Sequence, residues 1–252
     1  MSTTKKLWLG LAALLIASFS VMLWLGADLH QTAPPIPNRV VTDTGKVLYT
    51  RADIDKGRQV WQSAGGQQLG SIWGHGALIA PDWSADWLHR EIEAMAELDA
   101  RAETAEPYSM LDDADKARIQ AILKPQFRTN TYNAESGDLV VSERRAQAIM
   151  QVASHYESLF SNDPATADLR ETYAMKDNTV VDADKRRAMT GFFFWTAWAA
   201  STDRPGDNRT YTNNWPYEPR IGNTPTAGTF MWSMFSILFL IGGIALLAWH
   251  YV

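Results

Sequence analysis

The sequence of 252 residues contains no cysteine. Disulfide bonds, thiolate metal sites and haem attached through thioether bonds all require cysteine thiols, so the sequence excludes these three kinds of chemistry. It also lacks the glycine loop of phosphate-binding proteins and the nucleophile elbow of hydrolases. The sequence therefore predicts neither a nucleotide-binding protein nor a serine hydrolase.

Basic charge is scarce relative to acidic charge. All 28 acidic residues lie between Asp28 and Glu218, and only Lys5 and Lys6 precede them as basic residues. The other 21 basic residues leave the middle of the chain with a net charge of −7. Nucleic-acid binding depends on a basic surface, so we expect no nucleic-acid partner.

Two long segments carry no formal charge, residues 7–26 and residues 229–252 with His250 neutral. A helix of 20 residues covers about 30 Å, the thickness of a bilayer core. Tryptophans near both ends of each segment match the aromatic belts of membrane helices. We predict two transmembrane helices. A cleaved signal peptide is the alternative for the first, although the apolar part of such peptides has only about 7–15 residues.

Lys5 and Lys6 precede the first span, and the positive-inside rule therefore predicts a cytoplasmic N-terminus at residues 1–6 and an extracytoplasmic domain between the spans. Small residues in both spans would allow close helix contacts, including those of a homodimer. The sequence stops directly after the second span. We expect either one segment of a longer membrane protein or a subunit that docks beside one.

The region between the spans divides into three parts: a Pro-rich tether at residues 27–39, a folded domain at residues 40–201 and an irregular loop at residues 202–228. Helical periodicity predicts a mainly α fold with a small β-hairpin, whose apolar strand is residues 139–141. Helices are predicted to begin near Asp53, Ser84, Asp112, Ser142 and Asp182, the third ending before Pro125 and the last at Ser201.

The strongest motif is VWQSAGGQQLGSIWGHGALIAP, residues 60–81. This stretch resembles the membrane-anchored cytochrome c subunit of bacterial nitric oxide reductases, in which a Gly-x-x-Val-Trp helix, the haem motif and Gly-x-Gly-Ala-x-x-Ala-Pro follow one another. The haem-bearing pentapeptide Cys-x-x-Cys-His falls on residues 66–70, which read GQQLG. The matching residues around it are Gly57, Val60, Trp61, Gly74, Gly76, Ala77, Ala80 and Pro81.

A second motif, GFFFWTAWAASTDRPGDNRTYTNNWPYEPRIGNTPT at residues 191–226, resembles the segment that leads into the second membrane helix of the quinol-dependent nitric oxide reductase. In that family a haem-free, cytochrome c-like domain precedes the catalytic membrane domain. With the two spans, the resemblance covers essentially the whole chain. Arg220 departs from the pattern, which favours an aliphatic residue there.

The resemblance implies that the chain is the N-terminal anchor and periplasmic scaffold of this oxidoreductase in the bacterial inner membrane. The enzyme reduces two NO to N2O with electrons from menaquinol or ubiquinol. Haem b and a non-haem iron are expected in the multi-helix catalytic domain or partner subunit, and no cofactor in this chain. Because quinol delivers electrons within the bilayer, an external haem would lose its purpose.

Five histidines are present: His30, His75, His89, His155 and His250. Only His250 lies in a span, so the chain lacks the membrane-buried set that the catalytic centre requires, and we predict no catalytic, cofactor-binding or metal-ligating residue. For His75, hydrogen bonding within the glycine loop competes with ligation of a non-covalent haem or another metal. We interpret His89 and His155 as surface or hydrogen-bonded residues. Gly57 is predicted to let the first soluble helix approach the last near Phe193 and Trp195.

Two other classes of function remain open from the sequence. Two spans around an extracytoplasmic domain also describe a membrane-anchored sensor or ligand-binding module, although no cytoplasmic output domain is present in the sequence. A working electron carrier is the third class, and it would require a haem held without thioether bonds.

Overall fold

The computed structural model describes residues 2–251. Met1 and Val252, the outermost residues of the predicted N-terminal segment and second span, lie outside the described residues. The described chain is mainly helical, as predicted, with one small sheet of three strands. Its elements are α1 (Thr3–Gln31), β1 (Arg39–Thr42), β2 (Val47–Thr50), α2 (Arg51–Ser63), α3 (Trp83–Thr104), α4 (Asp113–Arg128), β3 (Asp138–Val141), α5 (Glu143–Leu159), α6 (Ala167–Thr172), α7 (Ala183–Ser201) and α8 (Ala227–Tyr251).

The terminal helices α1 and α8 are both long and apolar enough to span a membrane, and neither buries a side chain. Unburied apolar helices of 29 and 25 residues are consistent with a membrane-anchored protein. Helix α1 lies in a compact unit that ends at Pro35. It continues beyond the predicted span because no helix breaker occurs before Thr32, whose N–H and hydroxyl both donate to the Asp28 carbonyl.

The sheet has the strand order β2-β1-β3. Strands β1 and β2 form an antiparallel hairpin, whereas β3 runs parallel to β1. The pairing of β1 with β3 places Arg39 opposite Asp138, and their side chains form an ion pair at 2.6 Å. The apolar strand predicted at residues 139–141 is therefore confirmed. The strand also contacts the preceding segment, where Tyr132 and Leu139 form an antiparallel bridge and the Asn133 N–H donates to the Asp138 carbonyl at 2.9 Å.

Helix α7 is the central element of the folded domain. It is apolar on all sides from Ala188 to Ser201, and every residue in that range is buried. A helix without a polar face is stable only when other elements surround it. Helices α2, α3 and α5 pack around α7, and the ring of Trp61 on α2 lies 5.7 Å from that of Phe192 on α7.

The contact between α2 and α7 depends on Gly57. A Cβ atom at this position would overlap the carbonyl oxygen of Ala188 and lie 2.9 Å from the Cα of Met189. The two backbones therefore touch at a point where α2 has no room for a side chain. The predicted close approach is confirmed, but it occurs at Ala188 and Met189, one to two turns before Phe193 and Trp195, because Trp61 occupies the next turn of the interface.

A buried ion pair joins α3 to α5. Arg145 donates from Nε to Glu91 at 2.7 Å, and both side chains are almost fully buried. The second oxygen of Glu91 accepts from the Trp87 indole at 2.8 Å, and Arg145 also donates to the Gln126 carbonyl at 2.8 Å. Removing one partner of such a pair costs about 3–5 kcal/mol, since the other charge stays buried.

Helix α4 continues through Pro125 and ends at Arg128, so the prediction that it ends before Pro125 is wrong. A proline inside a helix costs about 3 kcal/mol. The extra turn offsets this cost because it buries Phe127 completely and brings the Arg128 guanidinium under a later loop. The predicted helix starts agree better with the structure. Asp112, Ser142 and Asp182 are N-caps, and Asp53 forms a capping box with the N-cap Thr50.

The Gly57 contact predicts that a substitution at this position destabilises the fold. Exchanging glycine for alanine inside a helix ordinarily stabilises by about 0.5–1 kcal/mol. We expect Gly57→Ala instead to lower the free energy of unfolding by about 1–3 kcal/mol, because the new methyl group overlaps the backbone of α7. Denaturant unfolding of the full chain in detergent, followed by tryptophan fluorescence, measures the change.

The matched control is Gln59→Ala, an exposed position on the same helix. Its unfolding free energy should change by less than about 0.5 kcal/mol. A Gly57→Ala variant as stable as the parent chain would contradict the close helix contact.

Candidate functional site

The GQQLG segment forms a tight turn rather than a ligand loop. Gly66–Leu69 is a short 3-10 helix, and Gly70 follows it with φ +126°. A Cβ at Gly70 would overlap the indole nitrogen of Trp83 and lie 2.7 Å from the Pro81 carbonyl oxygen. Both the backbone conformation and the contact with Trp83 therefore require glycine at the position where the cytochrome frame has its haem-ligating histidine.

The glycine loop after this turn is fixed by the carboxylate of Asp82. One Asp82 oxygen accepts from the Ser71 hydroxyl at 2.7 Å and from the Gly74 N–H at 2.6 Å. The other accepts from the Ala85 N–H at 2.9 Å, which caps α3. The Ser71 hydroxyl accepts in turn from the Gly76 N–H at 2.7 Å. One buried carboxylate thus holds both the loop and the first turn of α3.

The interior behind this loop is filled by aromatic rings. Trp83 is fully buried and is stacked on Phe193 of α7, with 5.7 Å between ring centroids. Its ring also meets those of Tyr156, Phe160 and Tyr173 at 5.5–6.0 Å. Burying a side chain of this size contributes about 2–3 kcal/mol, and aromatic pairs add about 0.5–1.5 kcal/mol each. The loop therefore covers a packed core.

A c-type haem does not fit these residues. Thioether attachment needs thiols that the sequence lacks, and the interior next to the loop is occupied by Trp83. The indole nitrogen of Trp83 is buried without a hydrogen-bond partner among residues 2–251, but the backbone of Gly70 is packed so closely on it that a Cβ at Gly70 would lie 2.3 Å away. That nitrogen therefore faces backbone and not a space that a ligand would enter.

The histidines do not come together. Among the described residues no group of three or more histidine, aspartate or glutamate side chains is placed to hold a metal ion. His75 is exposed, and its ring lies edge-on to Trp215 with 4.7 Å between centroids. His155 is half-buried, and burial, followed by the charge of Arg90, lowers its pKa. Its Nε2 has no partner within residues 2–251, so the interpretation of His155 as satisfied or at the surface is wrong.

The loop that follows α7 is built around Arg128, at the end of α4. Its guanidinium donates to the side chain of Asn223 at 2.7 Å, to that of Asn214 at 3.2 Å and to the Asn208 carbonyl at 2.7 Å, and it pairs with Asp203. One buried cation thus contacts four points of a loop that the sequence predicts to be irregular. The segment is therefore a surface loop that is fixed against the folded domain.

Asn223 fastens the end of the same loop. It is fully buried, and its amide donates to the carbonyl oxygens of Ala200 at 3.0 Å and Pro216 at 2.7 Å. Its carbonyl oxygen accepts from Arg128. The chain is thereby held against the C-terminal end of α7 four residues before α8 begins at Ala227.

The glycine loop and the loop after α7 contact each other. The Trp215 indole donates to the Gly74 carbonyl at 2.8 Å. Trp73 donates to the Thr196 carbonyl of α7 at 2.8 Å, and its ring lies 5.5 Å from that of Trp195. The two motifs identified in the sequence therefore form one continuous surface, which we call the two-loop surface: residues 71–82 and 203–223.

Arg220 has a clear role at the edge of this surface. Its guanidinium donates to both oxygens of buried Glu218, at 2.9 and 3.0 Å, and one of its nitrogens lies 2.8 Å from the Nδ1 of His89 on α3. Burial acts against both charges, yet their mutual hydrogen bonds leave the pKa of Glu218 lowered and that of Arg220 raised. His89 is a hydrogen-bonded residue, as interpreted from the sequence. An aliphatic residue at position 220 would lose both bonds to Glu218.

Sequence reasoning found the two loops but missed what fixes them. Arg128 lies in the part of α4 that was predicted to have ended, and nothing in its local pattern marks it as a loop anchor. Asp82 precedes α3 as an ordinary N-cap, so its second role in the glycine loop is visible only in the structure. The neighbourhood of Pro125 offers one signal, since a helix that continues past proline requires a strong tertiary contact.

These features define a haem-less, cytochrome c-like helical domain between two helices that are candidates for membrane spans. The family of the NorB cytochrome c-like domain, a domain of nitric oxide reductase, matches residues 37–217, most of the chain. The chain belongs to this family, and is thus related to an oxidoreductase that acts in a membrane complex with a catalytic subunit. A comparison with curated proteins finds no match.

The bonding of Asn223 predicts the effect of removing it. We expect Asn223→Ala to lower the free energy of unfolding by about 2–3 kcal/mol, because Arg128 and two carbonyl groups lose buried partners. The loop at residues 203–223 should also become sensitive to proteolysis. Thermal unfolding of the full chain, with mass spectrometry of limited-proteolysis fragments, measures both effects.

Asn208→Ala is the matched control, since it removes the same side chain from an exposed position of the same loop. It should leave stability and cleavage unchanged. Equal behaviour of the two variants would show that the loop is not held through Asn223.

Proposed function

We propose that this chain is the N-terminal anchor and extracytoplasmic scaffold of a quinol-dependent nitric oxide reductase, and that it takes no part in electron transfer. The observation that supports the proposal most strongly is the combination of the family match over residues 37–217 with a GQQLG turn that has no thiol and no iron ligand. The family links the chain to the reductase. The turn separates it from the cytochrome c subunit that it resembles, which holds a haem at this position.

The proposal follows from the location of the electron donor. A soluble electron donor outside the membrane needs a redox centre in the extramembrane domain to receive its electrons. A quinol is dissolved in the bilayer, and its oxidation to quinone releases two electrons and two protons. These balance the reduction of two NO to one N2O and one water. The catalytic domain would take them directly, at the haem b and non-haem iron expected there and outside this chain.

Within this proposal the residues of the chain act by stabilising the fold and the two-loop surface. Asp82 and Arg128 each fix one loop of the two-loop surface, and the aromatic core around Trp83 supports it from below. None of them is a catalytic residue. The scaffold would cap the catalytic domain and set its distance from the membrane.

The proposed arrangement has α1 and α8 in the bacterial inner membrane and the intervening domain in the periplasm. Lys5 and Lys6 at the start of α1 support a cytoplasmic N-terminus. The proposed parts are those drawn from the sequence, with the folded domain at residues 40–201 and the loop at 202–228. Contacts between copies through the spans would give a homodimer, and either menaquinol or ubiquinol satisfies the electron balance.

The source of electrons tests the proposal. The chain is purified together with its catalytic domain from membranes, and the consumption of NO is followed with an electrode. We expect turnover when a short-chain quinol is supplied and none above background when reduced soluble cytochrome c replaces it. Oxidation of cytochrome c at a rate equal to that of the quinol, or a complex that quinol does not reduce, would contradict the proposal.

A further inference from the structure

The glycine loop presents an exposed apolar tip. Leu78 is 99 % exposed and its neighbour Ile79 is 51 % exposed. The loop beneath them is ordered, since the Gly76 N–H donates to Ser71 at 2.7 Å and the Ala77 N–H to the Ala80 carbonyl at 2.8 Å. Aliphatic side chains held in water by a fixed loop gain nothing for the folded domain itself. Single exposed apolar side chains are ordinary, but two adjacent ones at the tip of a fixed loop form a small apolar patch that a partner can cover.

The tip belongs to the end of the domain that faces the second span. The loop that carries it bonds to Trp215 through the Gly74 carbonyl, and the segment containing Trp215 is fastened by buried Asn223. Ala227, the first residue of α8, is four positions after Asn223. Four residues bridge at most about 14 Å when extended. The two-loop surface is therefore tied closely to the start of α8.

The charge pattern decides which occupant fits the tip. Residues 62–81 contain no charged residue, and the region between the spans has a net charge of −7. Surfaces that bind a lipid bilayer combine apolar residues with lysine and arginine, which attract anionic headgroups. The centre of a protein interface is instead depleted of charge, and this loop carries none. A protein partner fits better than a lipid surface.

We propose that Leu78 and Ile79 dock into an apolar recess on the extramembrane face of the catalytic domain or subunit, with Trp215 and Tyr217 extending the contact. The inference rests on the proposed function, which supplies the partner, and adds to it the surface through which the scaffold binds. The contact would explain why Leu78 and Ile79 are exposed in this chain.

The absence of cysteine makes the test direct, because Leu78→Cys gives the chain a single thiol. The matched control is Val181→Cys, whose parent side chain is 77 % exposed and precedes α7. The loop that carries the tip lies near the other end of α7, because Trp73 of this loop bonds to Thr196. Thr196 is thirteen residues, or about 20 Å, after the first residue of α7. Unchanged melting temperatures establish that both variants fold.

Labelling by a membrane-impermeant maleimide is timed by mass spectrometry in three preparations. These are the chain in detergent, the chain in liposomes of phosphatidylethanolamine and phosphatidylglycerol, and the complete reductase in the same liposomes. We expect Leu78→Cys to react as fast as Val181→Cys in the first two and about tenfold more slowly in the third, because an interface core excludes water. Val181→Cys should react at the same rate throughout.

Equal rates for both thiols in the complete reductase would overturn the docking surface while leaving the proposed function intact. Slow labelling of Leu78→Cys already in liposomes without the catalytic domain would show that lipid covers the tip, and would overturn the choice of partner. If the chain forms no complex with a catalytic domain, the proposed function fails, and the docking surface with it.

Discussion

The burial of α7 is the constraint on which the rest of the folded domain depends. From Ala188 onward this helix has no face that tolerates water, so the other helices must enclose it. Gly57 lets α2 touch its backbone, and Trp83 stacks on its middle turn. Because Trp83 is also the residue on which Gly70 lies, the same helix determines the shape of the GQQLG turn.

This arrangement explains how a cytochrome-like frame persists without its cofactor. In a haem protein the porphyrin is a large part of the core, and its loss would leave a cavity that costs about 24 cal/mol for each Å³. Here aromatic rings fill the space next to the turn, and the loops are held by Asp82 and Arg128, both of which act through ordinary hydrogen bonds. The frame is retained as a surface, and that surface stands next to the second candidate span.

The sequence predicted elements whose signals are local. The two apolar helices, the buried face of α7, the N-caps at Asp112, Ser142 and Asp182 and the glycine loop all follow from composition, periodicity or short motifs. Apart from the approach of Gly57 to α7, it did not predict contacts between distant segments. The parallel pairing of β3 with β1, the extension of α4 through Pro125 and the anchoring of the loop after α7 on Arg128 each depend on residues separated by about 75 to 100 positions. No local pattern encodes such a partner.

The central claim is that the domain is a complete fold without an iron porphyrin, because its own side chains occupy the interior behind the erased haem turn. The most direct measurement is the haem and iron content of the purified full chain, together with its visible spectrum in the oxidised and reduced states and its melting temperature with and without added haemin. The account predicts substoichiometric iron, no redox-dependent absorbance and an unchanged melting temperature. A stoichiometric haem with a reversible redox potential would contradict it.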